Sequence, residues 1–441
     1  MTRTATLLAM VLLLLAAHGA WAQQGPLTIE ITRGEEGALP IAIVPFGWEG
    51  RGDVPEEVAA IVRANLERTG RFAPIDVRDL PSRPREASEV NFRDWRALGV
   101  QNLVVGRLQV TGPNRYALRF QLFDVYRGSQ LAGYSISASD RSLRRAAHQI
   151  SDIIYENLTG DRGAFDTHIA YVRVERDGRG EPSYALAVAD SDGYNEQVIL
   201  TSSQPLMSPA WAPDGKRLAY VSFERGRSQV WVQNIVTVHR EVVASFDGIN
   251  SAPAWSPDGR RLALTLSKDG TPDVYVLDLQ TRALQRVTEG FAINTEPAWS
   301  ADGRSIVFTS DRGGRPQLYR IEVNARGVPS GRPQRLTFDG GYNASPSLSP
   351  DGRRVAMVHA TDNGFGIGVM DLGSRELRVV SDAGRDESPH FAPNGQMIIY
   401  ATRAGGRGVL EVVSADGRAH HRLTTRQGDV REPAWSPFKA D

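Results

Sequence analysis

The sequence predicts an α+β N-terminal domain, a mixed sheet with two helices, followed by an all-β six-bladed β-propeller closed by its C-terminal strand. Three observations carry that expectation. A Pro-Ala-Trp-Ser-Pro-Asp-Gly motif recurs with its leading prolines at 209, 253, 297, 346, 389 and 433, spaced 44, 44, 49, 43 and 44 residues. That spacing is the period of a four-stranded propeller blade. The stretch 35–160 lacks the repeat and alternates strand and helix signals. Finally, the repeat is out of phase with the ends of the chain, so one blade must be assembled from both.

Within each repeat the turn chemistry and the strand alternation agree. Asp-Gly or Asn-Gly, as at Gly215, Gly259, Gly303, Gly352 and Gly395, tolerates the positive φ of a tight hairpin. A β-rich second run follows at Leu218–Val221, Leu262–Thr265, Ile306–Thr309, Val355–Val358 and Ile398–Ala401, and third and fourth strands come after it, as at Val274–Val276 and Gln285–Thr288. A second-strand pattern also stands at Ile169–Val172 with no motif before it, while the last motif, at Pro433–Trp435, has nothing after it. Strands near 169, 184 and 197 are therefore expected to receive their missing partner from 432–438, which satisfies edges that would otherwise stay unpaired. The propeller is placed at 164–438. Trp211, Trp255, Trp299 and Trp435 read as packing between blades.

In the N-terminal domain, 35–160, Ile41–Val44 reads as a buried strand ended by Pro45. Val58, Ile61, Val62 and Leu66 share one face of a helix from Pro55 to Glu67, with Asp53 as its candidate cap. Further strands are predicted at Leu103–Gly106, Tyr116–Val125 and Leu131–Ser137. A second helix from Leu143 to Leu158 stops at Thr159-Gly160.

The first 22 residues have the form of an export signal: Arg3, an apolar run of eleven residues from Leu7 to Ala17, and the small-x-small site Ala20-Trp21-Ala22. That run is too short to span a bilayer, which takes roughly 20 residues. An exported, soluble chain with no membrane insertion is expected. Residues 23–34 follow as a separate segment in which Leu27, Ile29 and Ile31 alternate with polar residues. It reads either as an edge strand of its own domain or as a peptide that adds to a partner's sheet.

Composition excludes several classes of function. With no cysteine among 441 residues, disulfides, thiol chemistry and cysteine-ligated metals are absent. Lys plus Arg and Asp plus Glu are balanced at 51 each, which gives no support to nucleic-acid binding. There is no G-x-S-x-G elbow and no H-E-x-x-H. His420 and His421 would point to opposite faces of a strand. Asp190 to Gly193 resembles the start of a calcium loop but lacks its later oxygen ligands and reads as a hairpin turn. No catalytic residue, cofactor or metal is assigned, and a monomer is expected.

What remains is shape. In a propeller the loops entering the innermost strands gather around the central channel, and here they carry Met207, Ser208, Ile249, Asn250, Ala252, Asn294, Thr295, Glu296, Tyr342 and Glu387. Small, amide and acidic side chains in a pre-formed cavity suit peptide or basic ligands; a solvated loop set is the alternative. A propeller peptidase or lyase, or a peptidoglycan-binding module, are the competing readings. The first wants a nucleophile motif, and the second wants rim aromatics, of which Tyr342 is the one the loops offer.

The ordered set of Ile43-Val-Pro-Phe46, Asp190-Ser-Asp-Gly-Tyr-Asn195, Leu206-Met-Ser-Pro-Ala-Trp211 and the closing Pro433-Ala-Trp-Ser-Pro437 resembles the TolB family of the Tol-Pal system of Gram-negative bacteria, over essentially the whole chain. The resemblance implies a non-catalytic periplasmic adaptor whose propeller mouth binds the lipoprotein Pal and whose segment after the leader is recognised by TolA. Among the loop residues, Ile249, Asn250, Ala252, Asn294, Thr295 and Glu296 carry the Pal-facing role by position. Leu27, Ile29 and Ile31 carry the TolA-facing one. The family more often has a polar residue or histidine where Ile249 stands. The role implied is outer-membrane integrity and envelope constriction during division.

Overall fold

The computed structural model describes residues 37–423, 425 and 428–439. The expected leader and the segment bearing Leu27, Ile29 and Ile31 lie outside the described residues.

The N-terminal part is a six-stranded mixed sheet with spatial order β3-β1-β4-β5-β6, with β2 paired to β4. Its strands are β1 (Leu39–Ile43), β2 (Gly47–Glu49), β3 (Phe72–Pro74), β4 (Asn102–Gly112), β5 (Arg115–Asp124) and β6 (Ser129–Ser139). The first four pair in parallel, whereas β4, β5 and β6 form an antiparallel meander. Helices α1 (Val58–Arg68) and α3 (Leu143–Thr159) cover one face, burying Val58, Ile61, Val62 and Leu66 of α1 and Ala147, Ile150 and Ile154 of α3 against Ile41, Ile43, Val104 and Leu118. This is the apolar face that the 3.6-residue spacing indicated.

Details differ from expectation. A third helix, α2 (Phe92–Ala97), caps the other face, where Trp95 is fully buried among Ala42, Val44, Leu103 and Val105. Six residues are too few for a periodic signal, although the Asn91 side chain accepts from the Arg93 N–H as an N-cap should. The strands β2 and β3, three residues each, were equally too short to read. Asp53 does not cap α1: Glu57 occupies that position without a side-chain bond. A turn after Pro55, in which the Val58 N–H donates to the Glu56 carbonyl, delays the helix. At the far end of α3, Gly160 adopts φ +79° and stops the helix as the sequence indicated.

The propeller has six four-stranded sheets. Blades one to five span 206–244, 250–286, 294–335, 343–381 and 387–422. Blade six joins Asp429–Trp435 to His168–Arg176, Pro182–Asp190 and Gln197–Ser202, with Ala434 opposite Ala170 and Trp435 opposite Ile169. The expected closure is therefore present. The tryptophans lie between blades: Trp211 Nε1 donates to the Ala434 carbonyl and Trp255 Nε1 to that of Ala210, both at 3.1 Å. The Trp435 indole donates to Thr167 Oγ1 at 2.8 Å. Burying a side chain of this size contributes on the order of 2–3 kcal/mol, and the Trp211 and Trp255 bonds each run from one sheet to the next.

One apolar core runs from the helical face of the N-terminal sheet, through Ala164 and Phe165, into Ile169, Tyr171, Met397 and Trp435 of the propeller. A buried polar clasp lies beside it. Arg144 of α3 donates to Asp192 in the turn of blade six at 2.5 Å and packs over the Tyr194 ring. The Asp190–Gly193 segment is thus the expected hairpin turn, and it is also where blade six grips α3. Asn65 of α1 donates to His148 Nδ1 at 2.9 Å, which leaves the imidazole proton on Nε2, 3.5 Å from Asp192. His148 is 2% exposed, and burial holds its pKa down at about 4.

Candidate functional site

Each innermost strand of the propeller carries the same defect. The register of its pairing shifts by a bulge, between Met207 and Ala210 in blade one and at the equivalent place in the other five. The residue before each motif proline, namely Ser208, Ala252, Glu296, Ser345, Ser388 and Glu432, has φ between 47° and 54°. For a non-glycine residue that conformation costs about 1–2 kcal/mol, and a residue before proline is restricted further. Six copies of one strained bulge form a ring, one from each blade.

Three of the bulge N–H groups, at Ser208, Glu296 and Ser345, are met by side chains of the neighbouring blade. The Ser208 N–H donates to Glu432 Oε2 at 2.6 Å. The Ser345 N–H and hydroxyl donate to the two oxygens of Glu296 at 2.9 and 2.6 Å, and Thr309 Oγ1 donates to the same carboxylate at 2.8 Å. The Glu296 N–H in turn donates to Thr265 Oγ1. Burial pushes the Glu432 carboxyl above its usual range, against the pull of the Ser208 N–H and Arg431, and Glu387 adds like-charge repulsion. Asp386, buried, accepts from Ser381, Thr402 and the Ala383 N–H.

The ring frames a cavity of about 950 Å³ lined by residues of blades one, three, four, five and six. Of the residues expected there, Met207, Ser208, Glu296, Tyr342 and Glu387 line it. Ile249 does not, but stands 46% exposed on the adjoining loop of blade two. Ala252 and Thr295 are half-buried in the bulge row, with Thr295 Oγ1 accepting from Thr265. Asn250 and Asn294, expected as contact residues, are both 0% exposed. The Asn250 amide is consumed by the Phe246 and Gly248 backbone, and that of Asn294 by Asp273, Ala292 and Arg312. They shape the loops and present no free group to a ligand.

The loops entering the inner strands do not supply the whole site. Phe365, Arg176 and Arg403 stand at the strand ends that flank the turns between second and third strands, and Phe365 packs edge-on against Tyr342 at 5.1 Å. A further aromatic, Phe291, on the loop before the inner strand of blade three, is fully exposed, with Ile293 half exposed beside it. The sequence signal for these was available: in a propeller, second-to-third turns open on the same side as the inner-strand loops. Arg385, Arg403 and Arg431 add positive charge beside Glu387 and Asp429, so the mouth offers both signs of charge and an edge-to-face aromatic pair.

Comparison with known proteins agrees with this architecture. The family described as TolB beta propeller domain matches residues 155–439, and the TolB amino-terminal domain matches 27–131. The chain is 58% identical over 417 residues to the Tol-Pal system protein TolB of Thioalkalivibrio sulfidiphilus, covering 94% of each chain. It is 59% identical over 411 residues to that of Nitrosococcus oceani, covering 93% of each. The crystal structure of TolB from Acinetobacter baumannii superposes with a TM-score of 0.83 at 39% identity, covering 91% of this chain and 97% of that one. With both domains matched in order and more than half of the residues identical to those of these relatives, the chain belongs to the TolB family of the Tol-Pal system.

Proposed function

We propose that the protein is a non-catalytic periplasmic adaptor that binds Pal at the propeller mouth and presents residues 23–34, with Leu27, Ile29 and Ile31, to TolA, serving outer-membrane integrity and constriction at division. Membership of the Tol-Pal system points to other components of that system as its partners. The observation that carries the reading is the mouth itself: a cavity of about 950 Å³ framed by six strained bulges. Backbone strain of this kind persists where the surroundings over-determine it and gathers at functional sites. A pre-shaped mouth lowers the ordering cost of taking up a protein segment.

The same geometry disfavours the enzymatic reading. Glu296, Glu432 and Asp386 use carboxylate oxygens to hold neighbouring strands and blades in place, whereas a general base must be free to take a proton. Among the described residues no helix is long and apolar enough to cross a membrane, which suits an adaptor in the periplasmic space.

The test is calorimetric titration with soluble Pal of the wild type and of Met207→Arg, which projects a guanidinium into the mouth without touching the bulge hydrogen bonds. Saturable binding by the wild type, weakened at least tenfold in the folded variant, is the expected result. Unchanged binding by the variant would move the partner off the mouth, and no wild-type binding would remove Pal as the partner.

A further inference from the structure

An exposed basic strip lies on the N-terminal sheet, on the face that α2 covers only in part. In register across three strands stand Arg107 of β4, Arg119 of β5 and Ser135 of β6, and in the next row Val105, Gln121 and Gly133. Two arginines directly opposite each other in an antiparallel pair repel, and such a pairing is destabilising. It is only partly relieved. Arg107 Nη1 lies 3.3 Å from Glu86 and 3.6 Å from Glu49. Arg119 is exposed, and among the described residues its guanidinium has no hydrogen-bond or ion-pair partner. Arg85 arches over Gly47 from the neighbouring loop, likewise without an ion pair, and Arg115 extends the strip along the same face of β5.

These side chains border a groove of about 550 Å³ that runs to the free edge of β6. Gly133 and Ser135, the edge residues on this face, bring almost no side chain between solvent and the guanidiniums. Among the described residues, the carboxylates beside the groove are occupied: Glu49 and Glu86 by Arg107, and Glu89 by the Arg85 backbone N–H. A free edge strand offers a row of backbone donors and acceptors, and guanidiniums favour carboxylates in planar paired contacts. An extended chain with acidic residues at alternate positions answers both demands at once.

We infer that this groove is a docking site for an acidic, extended peptide segment of a partner protein, with Arg119 and Arg85 as its principal anchors. The site is separate from the propeller mouth and does not depend on the function proposed for it.

Fluorescence anisotropy of a labelled ten-residue peptide alternating Glu and Thr, titrated with the full chain, tests the inference, with Gln-Thr and Lys-Thr peptides for comparison. Saturable, salt-sensitive binding of the acidic peptide alone is expected. It should weaken at least tenfold in Arg119→Glu and in Arg85→Glu but less than twofold in Arg332→Glu, which makes the same charge change on an exposed propeller strand. Arg119→Glu should also raise the urea midpoint, because it replaces repulsion of Arg107 by attraction, so loss of binding cannot be ascribed to unfolding. No saturable binding, equal weakening by Arg332→Glu, or displacement by inorganic phosphate at the peptide's own concentration would overturn the inference.

Discussion

At the scale of single residues, the decisive feature is the left-handed position before each motif proline. The sequence displays it six times, yet its meaning was not legible, because a residue before proline is ordinarily extended and Ser, Ala and Glu carry no mark of positive φ. The conformation is imposed by the blade, which must bulge where the inner strands converge. Substitution at one copy separates strain from packing. Ala252, φ 47°, should tolerate Gly within about 0.5 kcal/mol, since relief of strain offsets the added chain entropy. Ala252→Val should cost about 2 kcal/mol or more, because a β-branched residue is an outlier there. Urea unfolding of both variants measures the difference. Asn250 and Asn294 teach a related lesson: their place in the channel loops was readable, but whether an amide faces the ligand or its own loop is settled by hydrogen bonds that no spacing rule contains.

At the scale of elements, strands and long helices were legible where periodicity had room to show. The Leu143–Thr159 helix and its Gly160 stop, the second strands of blades one to five and the shared blade were each readable from pattern and turn chemistry. The short α2, β2 and β3 were not. Nor was the clasp between α3 and blade six, because Arg144, His148 and Asp192 meet only through the fold. Its acid response follows from the buried imidazole. Folded His148 has a pKa of about 4 against 6.5 when unfolded, so the unfolded chain binds an extra proton between those values. Stability from this group is complete above about pH 6.5 and is lost as pH falls toward 4. Asp152, buried on the same helix and raised to about 6 from 3.8, acts with the opposite sign, its contribution fading as pH rises. Comparison with a His148→Asn variant isolates the first effect. The variant should lose up to about 1.4 kcal/mol per pH unit of slope, the value for one proton, between pH 4 and 6.5 in chemical denaturation. An unchanged slope would mean that His148 is not held neutral.

At the scale of the whole molecule, the fold class was legible because a propeller writes its period into the sequence, and its closure follows from unmatched strands at the two ends. The continuous core from the N-terminal sheet into blades five and six was not legible, since each domain shows only its own pattern. That core and the clasp tie the N-terminal sheet to blades five and six. Hydrogen exchange of the protein with and without saturating soluble Pal is the sharpest test of binding at the mouth. Slowed exchange is expected in the six segments that carry the bulges, around 208, 252, 296, 345, 388 and 432, with the outer strands of the blades unchanged. Slowed exchange confined to the N-terminal sheet, or none at the bulges under saturation, would contradict it.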